Sequence, residues 1–273
     1  MSINFGSCFH AAPGRVVDTS AYDRYIGRWS RLFVPAVLAA AEIAPGSRVL
    51  DISTGTGEAA LMTLPIVGAS GLVIGADISP AMVEAARDRL NEPSFSPVAA
   101  DGQALPFTAG SFDSVICQLG LQFFSDPALG LFEFRRVLRL GGCAAACVVS
   151  APDRAPMAGI LADVIGRFLP QQRQILYLSF ALADPKRLEH LLTSAGFRDI
   201  RVKRETREYI VESFDDYWAP IEAGVGSLPQ AYLALGDADR RSVREEVKAR
   251  LSQFESNGRL IMDIEMLIGR GRA

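Results

Sequence analysis

Histidine and cysteine are both scarce in this chain. Only two of its 273 residues are histidine and four are cysteine. The cysteines show no metal-ligand spacing, and Cys117, Cys143 and Cys147 lie in apolar runs, where a reduced thiol behaves as a small hydrophobic group. We therefore expect no metal site and no disulfide, which is the cysteine usage of a reducing cytoplasm.

Long apolar runs and a strong charge of one sign are also missing. No apolar run approaches the roughly 18–20 residues that cross a bilayer, and residues 1–20 lack the basic start and apolar core of a secretory signal. The net charge of −3 gives no electrostatic reason to bind a polyanion. We therefore expect a cytoplasmic protein with no membrane span and no nucleic-acid partner.

The sequence does contain a regular alternation of strand and helix patterns. Hydrophobic residues make up 49% of the chain and charged residues 22%, as in a globular protein with a sizeable core. Strand and helix patterns alternate from Arg48–Ile52 to Cys143–Ser150. This rhythm predicts an α/β fold: a Rossmann-like, doubly wound, mostly parallel seven-stranded sheet with helical cover segments.

A glycine-rich loop follows the first predicted strand, in "VLDISTGTGEAAL". Its "GTGEAA" matches the dinucleotide fingerprint G-x-G-x-x-A, and Asp77 follows about 20 residues later, as in that fingerprint. Asp51, however, ends the strand, and a carboxylate there would repel the pyrophosphate of a dinucleotide. A nicotinamide-dependent dehydrogenase is therefore disfavoured. A cofactor with a cationic amino-acid part suits Asp51 better.

Four motifs, in order, resemble those of class I S-adenosylmethionine (SAM)-dependent methyltransferases, specifically the small-molecule group that includes quinone-biosynthesis methyltransferases. They are "VLDISTGTG", "VIGADIS", "AADGQALPFTAGSFDSVICQ" and "RVLRLGGCAAACVV". The resemblance covers Ala21–Ala151 strongly and Asp184–Arg270 more loosely. It implies S-adenosyl-L-methionine as the cofactor and a small-molecule substrate.

The resemblance also implies which residues hold each part of the cofactor. Asp51 would lie near the amino group, Asp77 would bind both ribose hydroxyls, and Asp101 would take the adenine amino group. The implied cofactor-binding set is Tyr25, Arg28, Asp51, Ser53, Gly55, Gly57, Asp77, Ile78, Met82, Asp101, Gly102, Gln103 and Gln118.

Ser53 departs from this family pattern, because most members have the first loop glycine there. A residue with a Cβ fits this position only if its φ and ψ lie in the ordinary region, and we expect that of Ser53. Gly55 and Gly57, which must come closest to the ligand, are kept. We therefore expect cofactor binding to survive.

The aromatic stretch Thr19–Ser30 predicts a helix upstream of the first strand. It can be a core-packing helix. In the resembling family the N-terminal helix covers the SAM pocket, and Tyr22, Tyr25 and Arg28 then become candidate ligands of the methionine carboxylate. Both interpretations stay open.

The expected organisation is one class I methyltransferase domain over residues 1–273. Residues 1–43 would form a helical lid, 44–151 the SAM-binding half, and 152–273 the substrate-side half with a helical insertion at about 214–254. That insertion either covers an apolar substrate or forms a dimer surface. A monomer and a homodimer are both open.

The catalytic residues cannot be read from the sequence. His10 is the one candidate base, and His190 lies on the polar side of an amphipathic helix. "QLGLQFF" after the fourth strand lacks an Asn-Pro-Pro-Tyr type signature, which argues against N-methylation of bases or glutamine amides. We predict methyl transfer to oxygen or carbon of a small hydrophobic acceptor. The alternative is a non-catalytic SAM-binding regulatory or accessory protein.

Overall fold

The predicted strands come together in one twisted sheet with helices on both faces. The structure is a computed structural model that describes residues 22–224 and 226–273. In these residues the strands are β1 (Arg48–Ile52), β2 (Leu72–Asp77), β3 (Phe95–Ala99), β4 (Phe112–Gln118), β5 (Leu138–Val149), β6 (Arg198–Val211), β7 (Glu255–Ser256) and β8 (Arg259–Arg272). The helices are α1 (a π-helical turn, Asp23–Gly27, continued by an α-helical turn, Arg28–Ser30), α2 (Val34–Ala40), α3 (Glu58–Val67), α4 (Pro80–Arg89), α5 (Pro127–Val137), α6 (Pro156–Phe168), α7 (Arg173–Leu176), α8 (Pro185–Ser194), α9 (Phe214–Glu222), α10 (Ser227–Leu233) and α11 (Asp237–Leu251).

The strand order is β3-β2-β1-β4-β5-β8-β6, with β7 paired to β8. Strands β1 to β5 run parallel, and β8 is antiparallel to both β5 and β6. The prediction of seven strands misses β7, a two-residue strand. The chain reverses between β7 and β8 at Asn257 and Gly258, both at positive φ, which is the two-residue hairpin turn that an Asn-Gly pair favours.

The central strands are apolar because neighbours cover them on both edges and helices cover both faces. In β1, Val49, Leu50 and Ile52 are fully or almost fully buried, as expected for the middle of a parallel sheet. Asp51 is also fully buried there, although it is a carboxylate. A buried acid in an apolar strand has a cost, so its position points to a role beyond packing.

The order in which strands are added to the sheet reverses between β1 and β4. These two strands lie side by side although β2 and β3 come between them in sequence. In open α/β sheets, ligands bind at such a switch point, outside the carboxyl ends of the strands. The ends of β1, β2 and β4 carry Asp51, Asp77 and Gln118. The fold therefore brings these predicted site residues to one edge.

The helical insertion forms part of the hydrophobic core. Helices α9, α10 and α11 form the helical insertion predicted at about 214–254. Tyr217, Trp218 and Tyr232 are buried, and the rings of Trp218 and Tyr232 meet edge to face at 5.2 Å. These aromatics therefore pack inside the protein, so they do not form an exposed dimer surface.

Helix α4 begins at Pro80, and the side chain of Ser79, the residue before it, makes no capping hydrogen bond. Instead the backbone N–H of Ser79 donates to Asp77 Oδ1 at 2.9 Å.

Within the described residues, no helix has both the length and the apolar content that crossing a membrane requires.

Candidate active site

A cavity of about 550 Å³ opens at the carboxyl ends of the central strands. Its size is within the ~300–1,000 Å³ range of small-molecule sites. Most of the predicted cofactor-binding residues line it: Tyr25, Ser53, Gly55, Asp77, Ile78, Met82, Asp101, Gly102, Gln103 and Gln118. Arg28, Asp51 and Gly57 do not.

Asp51 lies behind the cavity wall with one oxygen unpaired. Its Oδ2 accepts a hydrogen bond from Thr54 Oγ1 at 2.7 Å, and its Oδ1 has no hydrogen-bond partner. Burial raises the pKa of Asp51 to about 7, and the negative charge of Asp77 adds to the rise. A buried carboxylate with a vacant oxygen suits a cationic ligand group, since a positive charge would restore its ionised form.

Asp77 connects the glycine loop to the start of α4. Its Oδ2 accepts from the backbone N–H of Gly55 at 2.9 Å, while Oδ1 accepts from that of Ser79. Gly55 has φ +57°, and a Cβ there would lie 3.5 Å from the hydroxyl of Tyr22. The carboxylate therefore holds the loop in a left-handed conformation against the cavity.

Gly57 has a different role from the predicted contact with the ligand. It has φ +85°, and a Cβ there would lie 2.5 Å from Leu90 Cδ1, just beyond α4. Only glycine fits this close approach. Gly57 therefore allows the loop to pack against the neighbouring helix.

The prediction for the backbone of Ser53 is wrong. Ser53 has φ +57°, in the left-handed region, where a non-glycine residue costs of order 1–3 kcal/mol. Its side chain has room because Gly120 faces it: a Cβ on Gly120 would lie 2.3 Å from Ser53 Oγ. Burial raises the pKa of the Cys117 thiol to about 12, and a hydrogen bond with Ser53 partly offsets this rise. The serine is accommodated with strain.

The variant Ser53→Gly should therefore be more stable than the variant Ser53→Ala. Both variants lose the hydroxyl, but only alanine keeps the strained Cβ. We expect Ser53→Gly to have the higher free energy of unfolding, by about 1 kcal/mol. Chemical denaturation of the two variants measures this difference. Equal stabilities, or a more stable alanine variant, would show that this φ stores no strain.

The far side of the cavity is built around Asp101 and Gln103. Asp101 Oδ1 accepts from the backbone N–H of Gln103 at 2.8 Å, and Gln103 Oε1 accepts from that of Asp126 at 2.7 Å. Ile78, also in the lining, is 47% exposed. An exposed apolar side chain beside a carboxylate and an amide suits a flat heterocycle with polar edges.

Helix α1 lies over the cavity and contributes Tyr25, Ile26 and Trp29 to its lining, and Tyr22, just before the helix, also lines it. Burial raises the pKa of Tyr22, and the negative charges of Asp77 and Asp23 raise it further. At the start of α1, Asp23 Oδ1 accepts from Thr56 Oγ1 of the glycine loop at 2.7 Å. The helix is therefore attached to the loop that it covers.

The structure corrects the prediction for Arg28. Its guanidinium is 2.6 Å from Asp216 Oδ2, in α9, and does not line the cavity. This hydrogen bond lowers the pKa of Asp216 and raises that of Arg28. Because Tyr25 and Trp29 take the cavity-facing positions of α1, Arg28 is left to join α1 to α9.

Several buried polar atoms around the cavity have no hydrogen-bond partner. Besides Asp51 Oδ1, they are Gln118 Oε1, Gln122 Oε1 and Trp29 Nε1. Such atoms are rare in native proteins unless a ligand or water completes them. Sequence reasoning missed Trp29 and Gln122 as site residues. Gln122 could be noticed only through its place in "QLGLQFF", after the fourth strand.

The two histidines supply no base in the described site. His190 is exposed on α8, and His10, the candidate base, lies outside the described residues. Residues 22–224 and 226–273 hold no group of ligating side chains suited to a metal ion.

The sheet order, the switch-point cavity and the carboxylates at the ends of β1 and β2 together define a SAM-dependent methyltransferase. The unpaired oxygen of Asp51 and the glycine cradle at Gly55 fit the amino-acid part of that cofactor. Comparison with known proteins agrees: the model of the ubiE/COQ5 methyltransferase family matches residues 27–212. The chain belongs to this family. The predicted enzyme class and cofactor are thereby confirmed, and the non-catalytic alternative is not supported.

Individual relatives point the same way. The chain is 33% identical over 167 residues to a demethylmenaquinone methyltransferase of Corynebacterium kroppenstedtii, covering 57% of this chain and 70% of the relative. It is 40% identical over 118 residues to the ubiquinone/menaquinone biosynthesis C-methyltransferase UbiE of Stenotrophomonas maltophilia, covering 42% of this chain and 45% of the relative, so it spans under half of that protein. A phosphoethanolamine N-methyltransferase of Haemonchus contortus, solved with SAM, shares the fold with a TM-score of 0.62 at 17% identity, covering 99% of this chain and 60% of that chain.

Proposed function

We propose that this enzyme transfers the methyl group of SAM to a ring carbon of a reduced, quinone-type acceptor. The observation that carries the proposal is the uneven distribution of charge in the cavity. Of its carboxylates, Asp77 ends β2 and Asp101 follows β3. The lining from β4 onward has no ionisable side chain among the described residues. The names of the two curated relatives support a quinone-type acceptor.

The cofactor would occupy the side with the carboxylates. We assign Asp77 to the ribose hydroxyls and Asp101 to the adenine amino group. Asp51, behind the cavity wall, would attract the amino group through its negative charge. Tyr25 and Gln118 would lie beside the methionine part, with Trp29 Nε1 available as a donor to its carboxylate. When bound, SAM supplies a sulfonium methyl group that is already activated for transfer.

The remaining task of the protein is to align the acceptor with the methyl group. Proximity and orientation can lower a barrier by about 7–11 kcal/mol in well-oriented cases. A ring carbon next to a hydroxyl is electron-rich, so it can attack the methyl group directly. The new C–C bond would form as the S–C bond breaks, and the ring proton would then leave to water. The reaction therefore needs no strong base in the site.

Methyl transfer tests this proposal directly. The enzyme is incubated without oxygen with trideuteromethyl-labelled SAM and a demethylated naphthoquinol carrying a short side chain. We expect a product with the labelled methyl group on a ring carbon, identified by mass spectrometry and NMR. A label found on oxygen, or no transfer by protein that binds S-adenosylhomocysteine, would contradict the proposal.

We further propose that α1 acts as a lid within a single catalytic domain. Deuterium exchange of the peptide covering residues 22–30 should slow when S-adenosylhomocysteine is added, because opening of α1 would expose the ligand. Peptides from α11, away from the cavity lining, should not change. If the exchange rate of α1 is the same with and without S-adenosylhomocysteine, this helix only packs against the domain and is not a lid.

We also propose a cytoplasmic location, which reduced cysteines support. Cys117, Cys143 and Cys147 are free thiols. Both a monomer and a homodimer are compatible with the proposed chemistry, and sedimentation analysis distinguishes them.

A further inference from the structure

The acceptor side of the cavity contains one polar group with an unmet hydrogen-bonding need. Gln122 lies in the 3₁₀ turn Leu121–Phe123, just after β4, and lines the cavity. Its side chain is buried, with 3% of the residue exposed, and its Oε1 has no partner. An amide oxygen in this state lacks the donor that a bound molecule can provide.

Gln118 has a similar unpaired oxygen, but its position is different. Its Nε2 donates to the backbone oxygen of Ser30 at 3.1 Å, which fixes the side chain between β4 and α1. It ends the strand next to β1 and therefore belongs to the cofactor side. Gln122, four residues further on, is therefore the one of these two glutamines that can contact the molecule that accepts the methyl group.

The surroundings of Gln122 restrict the charge of that acceptor. The cavity lining from β4 onward, to which Gln122 belongs, also includes Leu119, Val149, Met157 and the start of α10 at Ser227–Pro229, and none of these side chains is ionisable. A charged group bound here would lose its hydration without gaining a counter-ion, which is unfavourable. The acceptor is therefore uncharged where it meets this wall.

We propose that Gln122 positions the acceptor by accepting a hydrogen bond from a hydroxyl group of an uncharged aromatic ring. This inference rests on the proposed function and specifies how its substrate is recognised. The bond fixes the rotation of the ring in its plane. It also draws the hydroxyl proton toward the amide oxygen, which raises the electron density at the adjacent ring carbon. Gln122 thereby selects the reduced, hydroxyl-bearing form of the acceptor.

Binding of simple probes to the full-length protein saturated with S-adenosylhomocysteine tests this role without turnover. The probes are 1-naphthol, its methyl ether, which cannot donate, and 1-naphthoate, which is charged. For the unmodified protein we expect 1-naphthol to bind about tenfold more tightly than the ether, equivalent to about 1.4 kcal/mol. We expect 1-naphthoate to bind more weakly than either.

Substitutions at Gln122 provide the matched comparison. Gln122→Leu should bind 1-naphthol and its ether equally, because it has no acceptor oxygen. Gln122→Glu should keep the preference, because a carboxyl group retains an acceptor oxygen in either protonation state. Gln171→Leu makes the same change at an exposed glutamine and should behave like the unmodified protein. Unchanged affinity for S-adenosylhomocysteine confirms that each variant is folded, and Gln122→Met replaces the leucine variant if that one is not.

A preference for 1-naphthol that persists in Gln122→Leu or Gln122→Met would overturn the inference. So would tight binding of 1-naphthoate, or equal binding of the alcohol and the ether by the unmodified protein. These outcomes are separate from the test of the proposed function. If the naphthoquinol is not methylated but the probe preference follows Gln122, only the proposed function fails. If methylation occurs on carbon but the preference for 1-naphthol over its ether is unchanged in the Gln122 variants, only this inference fails.

Discussion

Asp77→Ala will weaken the binding of S-adenosylhomocysteine by about 2–4 kcal/mol, because the two ribose hydroxyls lose a charged acceptor. This corresponds to roughly 30- to 1,000-fold in affinity. The same carboxylate accepts from the backbone N–H groups of Gly55 and Ser79, so its loss also releases the glycine loop. Isothermal titration calorimetry measures the change in affinity.

Two control variants separate these contributions of Asp77. Asp88→Ala removes an exposed carboxylate from α4 and should leave affinity unchanged. Asp77→Asn keeps one acceptor oxygen but loses the charge, and should fall between alanine and the unmodified protein. Unchanged affinity in Asp77→Ala would mean that the ribose is held elsewhere.

Asp51→Asn will have opposite effects on stability and on binding. Burial raises the pKa of Asp51 to about 7 in the folded protein, against about 3.9 for an unperturbed aspartate. The folded state therefore holds a proton that the unfolded chain has released between these values. Stability from this group is present at low pH and is lost as the pH rises toward about 7. Asparagine cannot ionise, so the ligand-free variant should be more stable near pH 8, by about 2 kcal/mol.

Binding should respond to pH in the other direction. The amino group of the ligand needs the ionised carboxylate, so we expect the affinity of the unmodified protein for S-adenosylhomocysteine to fall from about pH 8 to about pH 6. Asp51→Asn should bind weakly at both values, with little change between them. Denaturation and calorimetry at the two pH values measure both effects. An unmodified protein whose affinity is independent of pH would contradict the assigned role of Asp51.

The sequence was sufficient to predict the sheet and its carboxylates because their signals are local. Strand β1 was predicted with the observed bounds from an apolar run closed by a glycine-rich loop. Asp77 was predicted from its distance after that loop and its place at a strand end. Both strand ends lie beside the switch point, so the pattern that predicts the sheet also places the two carboxylates at the same edge of it.

The features that were missed depend on partners distant in sequence. Arg28 pairs with Asp216, 188 positions away, which no local pattern reveals. Ser53 tolerates a left-handed φ only because Gly120 faces it. Glu265 alternates with apolar neighbours along β8, yet it is buried, where it accepts hydrogen bonds from Ser150 and Arg204. Burial and pairing of this kind are decided by the assembled structure.

The attachment of α1 has a consequence for how the enzyme exchanges its ligands. One end of this helix is bonded to Thr56, in the glycine loop, and the other to Asp216, in α9 of the insertion. If α1 opens to release spent cofactor, both bonds break, and the cover of the acceptor side loosens at the same time. Cofactor and acceptor would then leave through a single opening event, so the departure of one product would set the pace for the other.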